Sequence, residues 1–446
     1  IQSISEGTAL LWALSCARAT PRPCMASGSS SLQRFLPLAA TFAAVAIAMK
    51  LPRRLATIIS SLASSSDLDL PSGGTQIPAT PLPRPKPPPT AELPDAQPKR
   101  VQAYAALKPR EPLQPFTYEL PSTVPPPGYV DLAITHCGMC HSDVHQIDDA
   151  WKAACFPLIP GHEIAGTVTA VGDDPETRAK FAVGDRACIG VQRGSCGQCG
   201  CCSDKLENLC PKITKTYAGP GKDKGGFADM IRFPTSWTFK APDGMPSELL
   251  GPLMCAGITT YSPLKRFCKP GGKVGVIGIG GLGHLALQFA KAMDFGEVVA
   301  ISRTASKEDE ARSFGASDFL LTEDQVAMAA AAGTFDVILN TVSGHAPLDP
   351  FLALLKPRGT LACVGLPEKD QKSSMWFQSM VPSEKALIGS YLGPYDDYAE
   401  MLTFSAAHGI KPQIELFPAS EVNAAITKVR NNTARYRIVL EFGNAA

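Results

Sequence analysis

Two groups of side chains in this chain of 446 residues have the types and the spacing to do chemistry. Residues 137–145, with the sequence CGMCHSDVH, place two thiols, two imidazoles, a hydroxyl and a carboxylate within nine positions. A folding core has no need for such a density of polar, reactive groups. The second group consists of the closely spaced cysteines Cys196, Cys199, Cys202 and Cys210.

The four-cysteine loop predicts a structural zinc site. Its spacing, C-x2-C-x2-C-x7-C, offers four thiolates to one tetrahedral ion at about 2.3 Å per bond and leaves no position open for a substrate. Cys201 lies in the same loop, so a second register, in which Cys201 replaces Cys202, stays open. The crowding of five of the 14 cysteines in this loop indicates reduced thiols and a reducing compartment rather than disulfides.

A glycine-rich turn at 278–283, with the sequence GIGGLG, predicts a dinucleotide site because it joins an apolar strand to a helix. Gly278 permits the tight turn, Gly280 lets the backbone approach a pyrophosphate, and Gly283 allows the helix to pack closely on the strand. The free N–H groups of the helix N-terminus favour the anion. A glycine-rich turn without a ligand is the alternative. The predicted cofactor-binding residues of the turn are Gly278, Gly280, Gly281, Leu282 and Gly283.

The end of the second strand indicates which dinucleotide is bound. An NAD site normally has an acidic residue there, which binds the ribose hydroxyls and would repel a 2′-phosphate. Residues 301–307, ISRTASK, contain no acid. The sequence therefore predicts NADP(H), although the two cations are also compatible with a solvated surface. The predicted phosphate ligands are Ser302, Arg303, Thr304 and Lys307.

The apolar pattern indicates an α/β protein with two folded parts. Residues 99–256 contain short β-branched runs separated by glycine and proline, which predicts an irregular, mostly antiparallel β domain. Residues 257–393 alternate continuous apolar strands with helices, which predicts a doubly wound parallel sheet of the Rossmann type covered on both faces. We expect the segment 394–446 to return to the first domain.

Residues 1–98 have a different composition. The uncharged run 35–49 resembles the apolar region of a signal peptide and is too short for a comfortable membrane span, and a basic, serine-rich stretch follows it. The proline-rich segment 71–98 indicates an extended linker. We expect a leader that directs the protein to a plastid or another organelle. A disordered N-terminal extension or a wrongly chosen start, with a cytoplasmic protein, is the alternative.

The overall charge excludes some functions. The formal net charge is +1 and no long block of like charges occurs, so the sequence gives no electrostatic case for binding nucleic acid or an anionic membrane. With 45% apolar residues the chain can bury large cores. We therefore expect a small-molecule partner.

From about residue 99 to 442 the sequence resembles the zinc-dependent medium-chain alcohol dehydrogenases, specifically the cinnamyl alcohol dehydrogenase branch. The matching segments are 137–146 (CGMCHSDVHQ), 160–163 (PGHE), the four-cysteine loop, 225–228 (GGFA), 252–257 (PLMCAG), the GxGGxG turn and 435–437 (RYR). The resemblance implies a GroES-like β domain beside the Rossmann domain, and hydride transfer between NADP(H) and a primary alcohol or aldehyde, with a cinnamyl-type substrate as one option.

The resemblance also implies a second, catalytic zinc ion. Its ligands would be Cys140, His162 and Cys255, which leave a fourth position for a substrate oxygen. Glu163 would approach the metal during ligand exchange, and Asp143 would orient the His162 ring.

Further roles are implied for the remaining polar residues of 137–145. Ser142 would contact the substrate oxygen and begin a proton relay through the nicotinamide ribose to His145. His141 would contact the cofactor pyrophosphate. Cys137 would serve only in packing.

The resemblance also indicates which residues line the substrate pocket. Gln146, Trp151 and Thr214 are predicted to line the pocket, and Trp376 to lie at a contact between two subunits of a homodimer. Residues 213–215, ITK, stand where plant cinnamyl enzymes have an aromatic platform. This difference favours a broad primary alcohol and aldehyde reductase.

Two other functions compete with this reading. A zinc-free quinone or enoyl reductase of the same superfamily would have the two domains but neither set of zinc ligands, and both sets are present here. A non-enzymatic protein that senses NADPH or zinc would lack part of the relay or a third ligand. Ser142, His145 and Cys255 are all present.

Overall fold

The structure is a computed structural model that describes residues 98–217, 224–267, 269–344 and 347–443. The predicted leader lies outside these ranges, as does the predicted linker up to residue 97. Within the described ranges, no helix has both the length and the apolar composition that a bilayer crossing requires.

The described residues form two main sheets with helices around them. The strands are β1 Lys99–Ala105, β2 Gln114–Leu120, β3 Tyr129–Met139, β4 Glu163–Val171, β5 Arg186–Ile189, β6 Gln192–Gly194, β7 Thr214–Lys215, β8 Met230–Pro234, β9 Thr238–Lys240, β10 Lys273–Ile277, β11 Glu297–Ser302, β12 Asp318–Leu321, β13 Phe335–Asn340, β14 Leu355–Cys363, β15 Ala386–Gly389, β16 Ile414–Pro418 and β17 Arg437–Glu441. The helices are α1 His141–Ile147, α2 Pro175–Lys180, α3 Gly200–Ser203, α4 Ser247–Pro252, α5 Ile258–Phe267, α6 Gly283–Ala292, α7 Glu308–Ser313, α8 Gln325–Ala330, α9 Asp349–Leu354, α10 Tyr395–His408 and α11 Val422–Arg430.

The parallel sheet has the strand order β12-β11-β10-β13-β14-β15. The middle positions of its central strands β10, β11 and β13 are apolar because both faces of the sheet are covered. In β10, Val274 and Val276 belong to the larger hydrophobic core, whereas Ile277 belongs to a smaller core on the opposite face. In β11, Val298 and Val299 divide between the same two cores. The glycine turn leaves β10 at its carboxyl end, next to the carboxyl end of the parallel strand β13, where the strand order reverses direction.

The second sheet has the order β16-β17-β3-β4-β5-β9, and β8 also pairs with β3. Its pairs are antiparallel except for β16 with β17. The strand β3 contains 11 residues and ends at Met139, directly before the reactive segment. The last strand, β17, returns from the end of the chain and places Ile438 opposite Met139. The C-terminal strand therefore lies directly beside the start of the reactive segment 137–145.

The strand β3 is fixed by a buried ion pair. Asp131 is fully buried and accepts two hydrogen bonds from Arg232 on β8, at 2.7 Å from Nε and 3.0 Å from Nη2. Lys99 Nζ lies 3.5 Å from the same carboxylate. The bidentate geometry aligns β8 with the strand that carries the reactive segment.

We expect Arg232→Met to lower the free energy of unfolding by about 3 kcal/mol, because it leaves a buried carboxylate without its main partner. Urea denaturation followed by circular dichroism measures the change. The matched control is Arg100→Met, whose partner Glu119 and own side chain are both exposed. The control substitution should lower the free energy of unfolding by less than about 1 kcal/mol. An equal decrease in the two variants would contradict this role of Arg232.

Candidate active site

Cys140 lies where β3 ends and α1 begins, so its side chain projects at a corner between sheet and helix. The carboxylate of Asp143 accepts a hydrogen bond from the Cys140 N–H at 2.8 Å, which caps the helix. In α1, the residues His141 and His145 are one turn apart, and their ring centroids lie 4.8 Å from each other. The helix therefore directs these two imidazoles to the same side.

Four buried side chains that could bind a metal ion converge beside this corner, and we refer to them as the metal cluster. The ligand atoms of Cys140, His162, Glu163 and Cys255 all lie within 4.8 Å of one another. Cys255 reaches the group from a π-helical turn, Leu253–Gly257, inserted between α4 and α5. The set of two thiols, an imidazole and a carboxylate is one that zinc binds.

The electrostatics of this cluster suit a cation. The S–H of Cys255 donates to the Cys140 sulfur at 3.9 Å, which holds the pKa of the Cys140 thiol well below its ordinary value and raises the pKa of Cys255. Nε2 of His162 and Oε2 of Glu163 are buried and have no hydrogen-bond partner among the described residues. Buried polar atoms without a partner are rare, and a metal ion would satisfy both. The donors thus fit a zinc ion.

Asp143 holds His162 in place. Its Oδ1 lies 3.2 Å from Nδ1 of His162 and accepts the Gly161 N–H at 3.0 Å. The hydroxyl of Tyr217 donates to the same oxygen, and its ring stacks on His162 with centroids 5.6 Å apart. Tyr217 was missed by the sequence analysis, because it follows the four-cysteine loop in no recognisable motif.

Glu163 is paired with Arg437, the first residue of β17. A guanidinium nitrogen of Arg437 donates to Oε1 of Glu163, and both side chains are buried. Burial raises the pKa of Glu163 to about 7, although Arg437 opposes the shift. Arg437 also lies against Gly281, where a Cβ atom would be 3.0 Å from its Nη1. One buried cation therefore connects the metal cluster with the glycine turn.

The four predicted loop cysteines come together as a second cluster. The ligand atoms of Cys196, Cys199, Cys202 and Cys210 lie within 4.8 Å of one another. Cys201 stays outside this cluster, because the short helix α3 directs Cys202 inward instead. The geometry selects the register with Cys202.

The glycine turn opens into a cleft of about 600 Å³. Gly278 has a φ of +85°, which only glycine adopts readily, and a Cβ atom on Gly283 would lie 1.9 Å from the Gly278 carbonyl oxygen. Nothing lies within 4 Å of the Cβ position of Gly280, so this backbone is open to a ligand. The residues that line the cleft include Cys140, His141, His145, Gly278, Gly280, Gly281, Leu282, Arg303, Lys307 and Arg437.

An adjoining cavity of about 470 Å³ lies at the end of β11. Arg303 is exposed and lines both the cleft and this cavity, and Ser302 and Thr304 line the cavity. The hydroxyl of Ser302 donates to the carbonyl oxygen of Thr304 and accepts a hydrogen bond from its N–H, which stabilises the turn between them. Lys307 donates to the Ile279 carbonyl oxygen at 2.7 Å, so its ammonium supports the glycine turn.

Comparison with known proteins agrees with this geometry. The family models for the alcohol dehydrogenase GroES-like domain and for zinc-binding dehydrogenases match residues 126–243 and 281–407. A probable mannitol dehydrogenase of Fragaria ananassa is 41% identical over 355 residues, which are 78% of this chain and 96% of that protein.

Solved structures show the same likeness. The structure of a cinnamyl alcohol dehydrogenase from Sorghum bicolor matches with a TM-score of 0.72 and 35% identity, covering 77% of this chain and 98% of that one. The structure of CAD from Helicobacter pylori complexed with NADP(H) matches with a TM-score of 0.70 and 31% identity, covering 77% and 99%. The chain belongs to the zinc-dependent medium-chain alcohol dehydrogenases, in the cinnamyl alcohol dehydrogenase branch. The family and the fold class predicted from the sequence are confirmed, as is its function as an oxidoreductase that acts on alcohols.

This alcohol dehydrogenase has an inner cavity of about 150 Å³ beside the buried metal cluster. Cys140, His162 and Cys255 line it. The other lining residues include Ser142, His145, Gln146, Trp151, Lys215, Tyr217, Leu366, Ser390, Tyr391 and Leu392. Gln146 and Trp151 are thus placed where the sequence predicted them.

Thr214 is not among the residues that line the inner cavity, contrary to our expectation; its neighbour Lys215 is. Successive side chains of a strand point to opposite sides, so Thr214 and Lys215 of β7 cannot both face the cavity. Thr214 is exposed.

His145 lines both the inner cavity and the cofactor cleft. Burial and the neighbouring His141 lower the pKa of His145, while Glu368, whose Oε1 lies 3.9 Å from Nδ1, acts in the opposite direction. The net lowering keeps the imidazole of this alcohol dehydrogenase neutral near pH 7, in the form that accepts a proton.

Proposed function

We propose that this alcohol dehydrogenase uses NADP(H) and two zinc ions per chain to interconvert primary alcohols and aldehydes. The observation that carries the proposal is the convergence of Cys140, His162 and Cys255 on the inner cavity, with His162 Nε2 buried and otherwise unpartnered. When bound there, zinc supplies Lewis-acid activation of the substrate oxygen, and NADP(H) supplies or accepts the hydride.

The protein's own residues position the substrate and move its proton. Ser142 Oγ lies 3.6 Å from the Cys140 sulfur and faces the inner cavity, so it can hold the proton of the substrate oxygen. His145 is neutral and lines both cavities, so it can take that proton towards the cofactor cleft. Trp151 closes the cavity wall, and its Nε1 donates to the Pro367 carbonyl oxygen at 3.0 Å.

We expect Cys140→Ser to remove one of two zinc ions per chain and to lower kcat/KM by more than about a hundredfold, because Lewis-acid activation contributes several kcal/mol and each tenfold change in rate is about 1.4 kcal/mol. Elemental analysis and NADPH oxidation with benzaldehyde measure the two effects. The matched control is Cys155→Ser, a partly buried thiol outside both clusters. Full activity of Cys140→Ser, or only one zinc in the unaltered protein, would contradict the proposal.

The preference for NADP(H) rests on the end of β11. The segment 301–307 contains no acid, and Arg303 stands exposed at the junction of the cleft and the adjoining cavity. The Arg303 guanidinium is therefore the group available for a 2′-phosphate. Lys307, which holds the Ile279 carbonyl oxygen, supports the turn and adds positive charge nearby.

We expect Arg303→Ala to lower kcat/KM for NADPH about tenfold to a hundredfold, since a charge-assisted hydrogen bond contributes roughly 1.5–3 kcal/mol. The value for NADH should change little. Steady-state kinetics with both cofactors check this outcome. Arg358→Ala removes the same charge from an exposed site on β14 and serves as the control; a similar loss for NADH in Arg303→Ala would show that no phosphate is recognised there.

We also propose a homodimer formed through the edge of the parallel sheet. The strand β15 ends the sheet, and in the described part of the chain its outer edge has no partner strand. Next to it, Trp376 and Phe377 are each 70% exposed and Val381 is 67% exposed. A free edge with apolar side chains beside it fits a second copy across a two-fold axis.

We expect the unaltered protein to elute in size-exclusion chromatography with light scattering at twice the mass of one chain, and Phe377→Glu to shift it to the monomer, since the charge would be buried in an apolar contact. Val326→Glu is the control, because Val326 is an exposed apolar residue on α8, away from β15. A monomer in the unaltered protein would rule out this assembly.

A further inference from the structure

Lys215 is a basic side chain that lines the inner cavity and has no role in the proposed reaction. It lies in β7, opposite Gln192 of β6, and it lines the same cavity as the metal cluster. The neighbouring Thr216 faces the other side of the strand, where its hydroxyl donates to the Gly190 carbonyl oxygen. The pairing with β6 therefore fixes Lys215 towards the cavity.

The ammonium of Lys215 has no anionic partner in the described ranges. It lies 5.9 Å from the centroid of the Tyr391 ring, and it makes no hydrogen bond or ion pair with the residues that the structure describes. Two other half-buried lysines have hydrogen-bond partners: Lys307 donates to the Ile279 carbonyl oxygen, and Lys180 donates to the Thr235 carbonyl oxygen and the Tyr395 hydroxyl. A partly desolvated cation without such a partner favours an incoming anion.

The rest of the cavity does not supply that anion. Among the described residues that line it there is no aspartate or glutamate, and Cys140 and Cys255 are committed to the metal cluster. The buried side chain of Leu392 also lines the cavity, and an apolar wall of this kind strengthens a charge interaction. Lys215 can therefore bind a negatively charged group of a substrate whose reacting carbon lies elsewhere in the cavity.

We propose that Lys215 selects small aldehydes and alcohols that carry a carboxylate remote from the reacting carbon. This inference rests on the proposed function, because it names the substrate class of the same site. The charge of a single ammonium neutralises that of one carboxylate but only half of the charge of a phosphate dianion. A cavity of about 150 Å³ has room for a small acid. The carboxylate pairs with Lys215 while the carbonyl carbon lies at the metal cluster.

The test compares pairs of aldehydes in which one member carries a remote carboxylate and the other does not: para-carboxybenzaldehyde with benzaldehyde, and succinic semialdehyde with butanal. The readout is the ratio of kcat/KM for the acid to kcat/KM for the neutral aldehyde, measured by NADPH oxidation. We expect a ratio of about ten or more in the unaltered protein, because the carboxylate gains a charge-assisted hydrogen bond from the Lys215 ammonium. The ratio should fall as ionic strength rises.

Lys215→Met should reduce the ratio about tenfold, and Lys215→Arg, which keeps the charge, should retain most of it. The matched control is Lys212→Met, an exposed lysine on the same segment that does not line the cavity and should keep the ratio of the unaltered protein. A ratio near one in the unaltered protein, or an unchanged ratio in Lys215→Met, would overturn the inference alone. Absence of NADPH oxidation with every aldehyde would overturn the proposed function and this inference with it.

Discussion

The geometry of the active site depends on the buried carboxylate of Asp143, which has four partners from three separate parts of the chain. It accepts the N–H of Cys140 at 2.8 Å and that of Gly161 at 3.0 Å, and it contacts His162 Nδ1 at 3.2 Å and the hydroxyl of Tyr217. A buried carboxylate is stable only while such partners surround it. The requirement to satisfy Asp143 therefore holds the start of α1, the segment before β4 and the segment after the four-cysteine loop in one arrangement.

A second buried pair extends this arrangement to the cofactor cleft. Arg437 donates to Glu163 on one side and lies against Gly281 on the other. The same residue begins β17, whose pairing with β3 aligns the end of the chain with the reactive segment. The metal cluster and the glycine turn consequently share a cation that comes from the last strand, so the return of the C-terminal segment is part of the site.

Several features could be predicted because the relevant physics is local. The alternation of apolar strands and helices identified the parallel sheet, since strands covered on both faces consist of nearly continuous apolar runs. The turn at 278–283 was recognised from its glycines and its flanking elements, and the four-cysteine loop from its spacing. The ligand set Cys140, His162 and Cys255 needed the resemblance to a family, because each residue alone is an ordinary cysteine or histidine.

The sequence by itself determined the fold class and, through its motifs, the family. It also identified the four loop cysteines as one cluster because their spacing is short. Only the tertiary structure decided that Cys202 rather than Cys201 joins the loop cluster, and that Lys215 rather than Thr214 faces the inner cavity. It also revealed the contributions of Tyr217 and Arg437. The direction of a side chain follows from strand pairing and helix orientation, and contacts between distant segments follow from packing; neither is encoded in a local pattern.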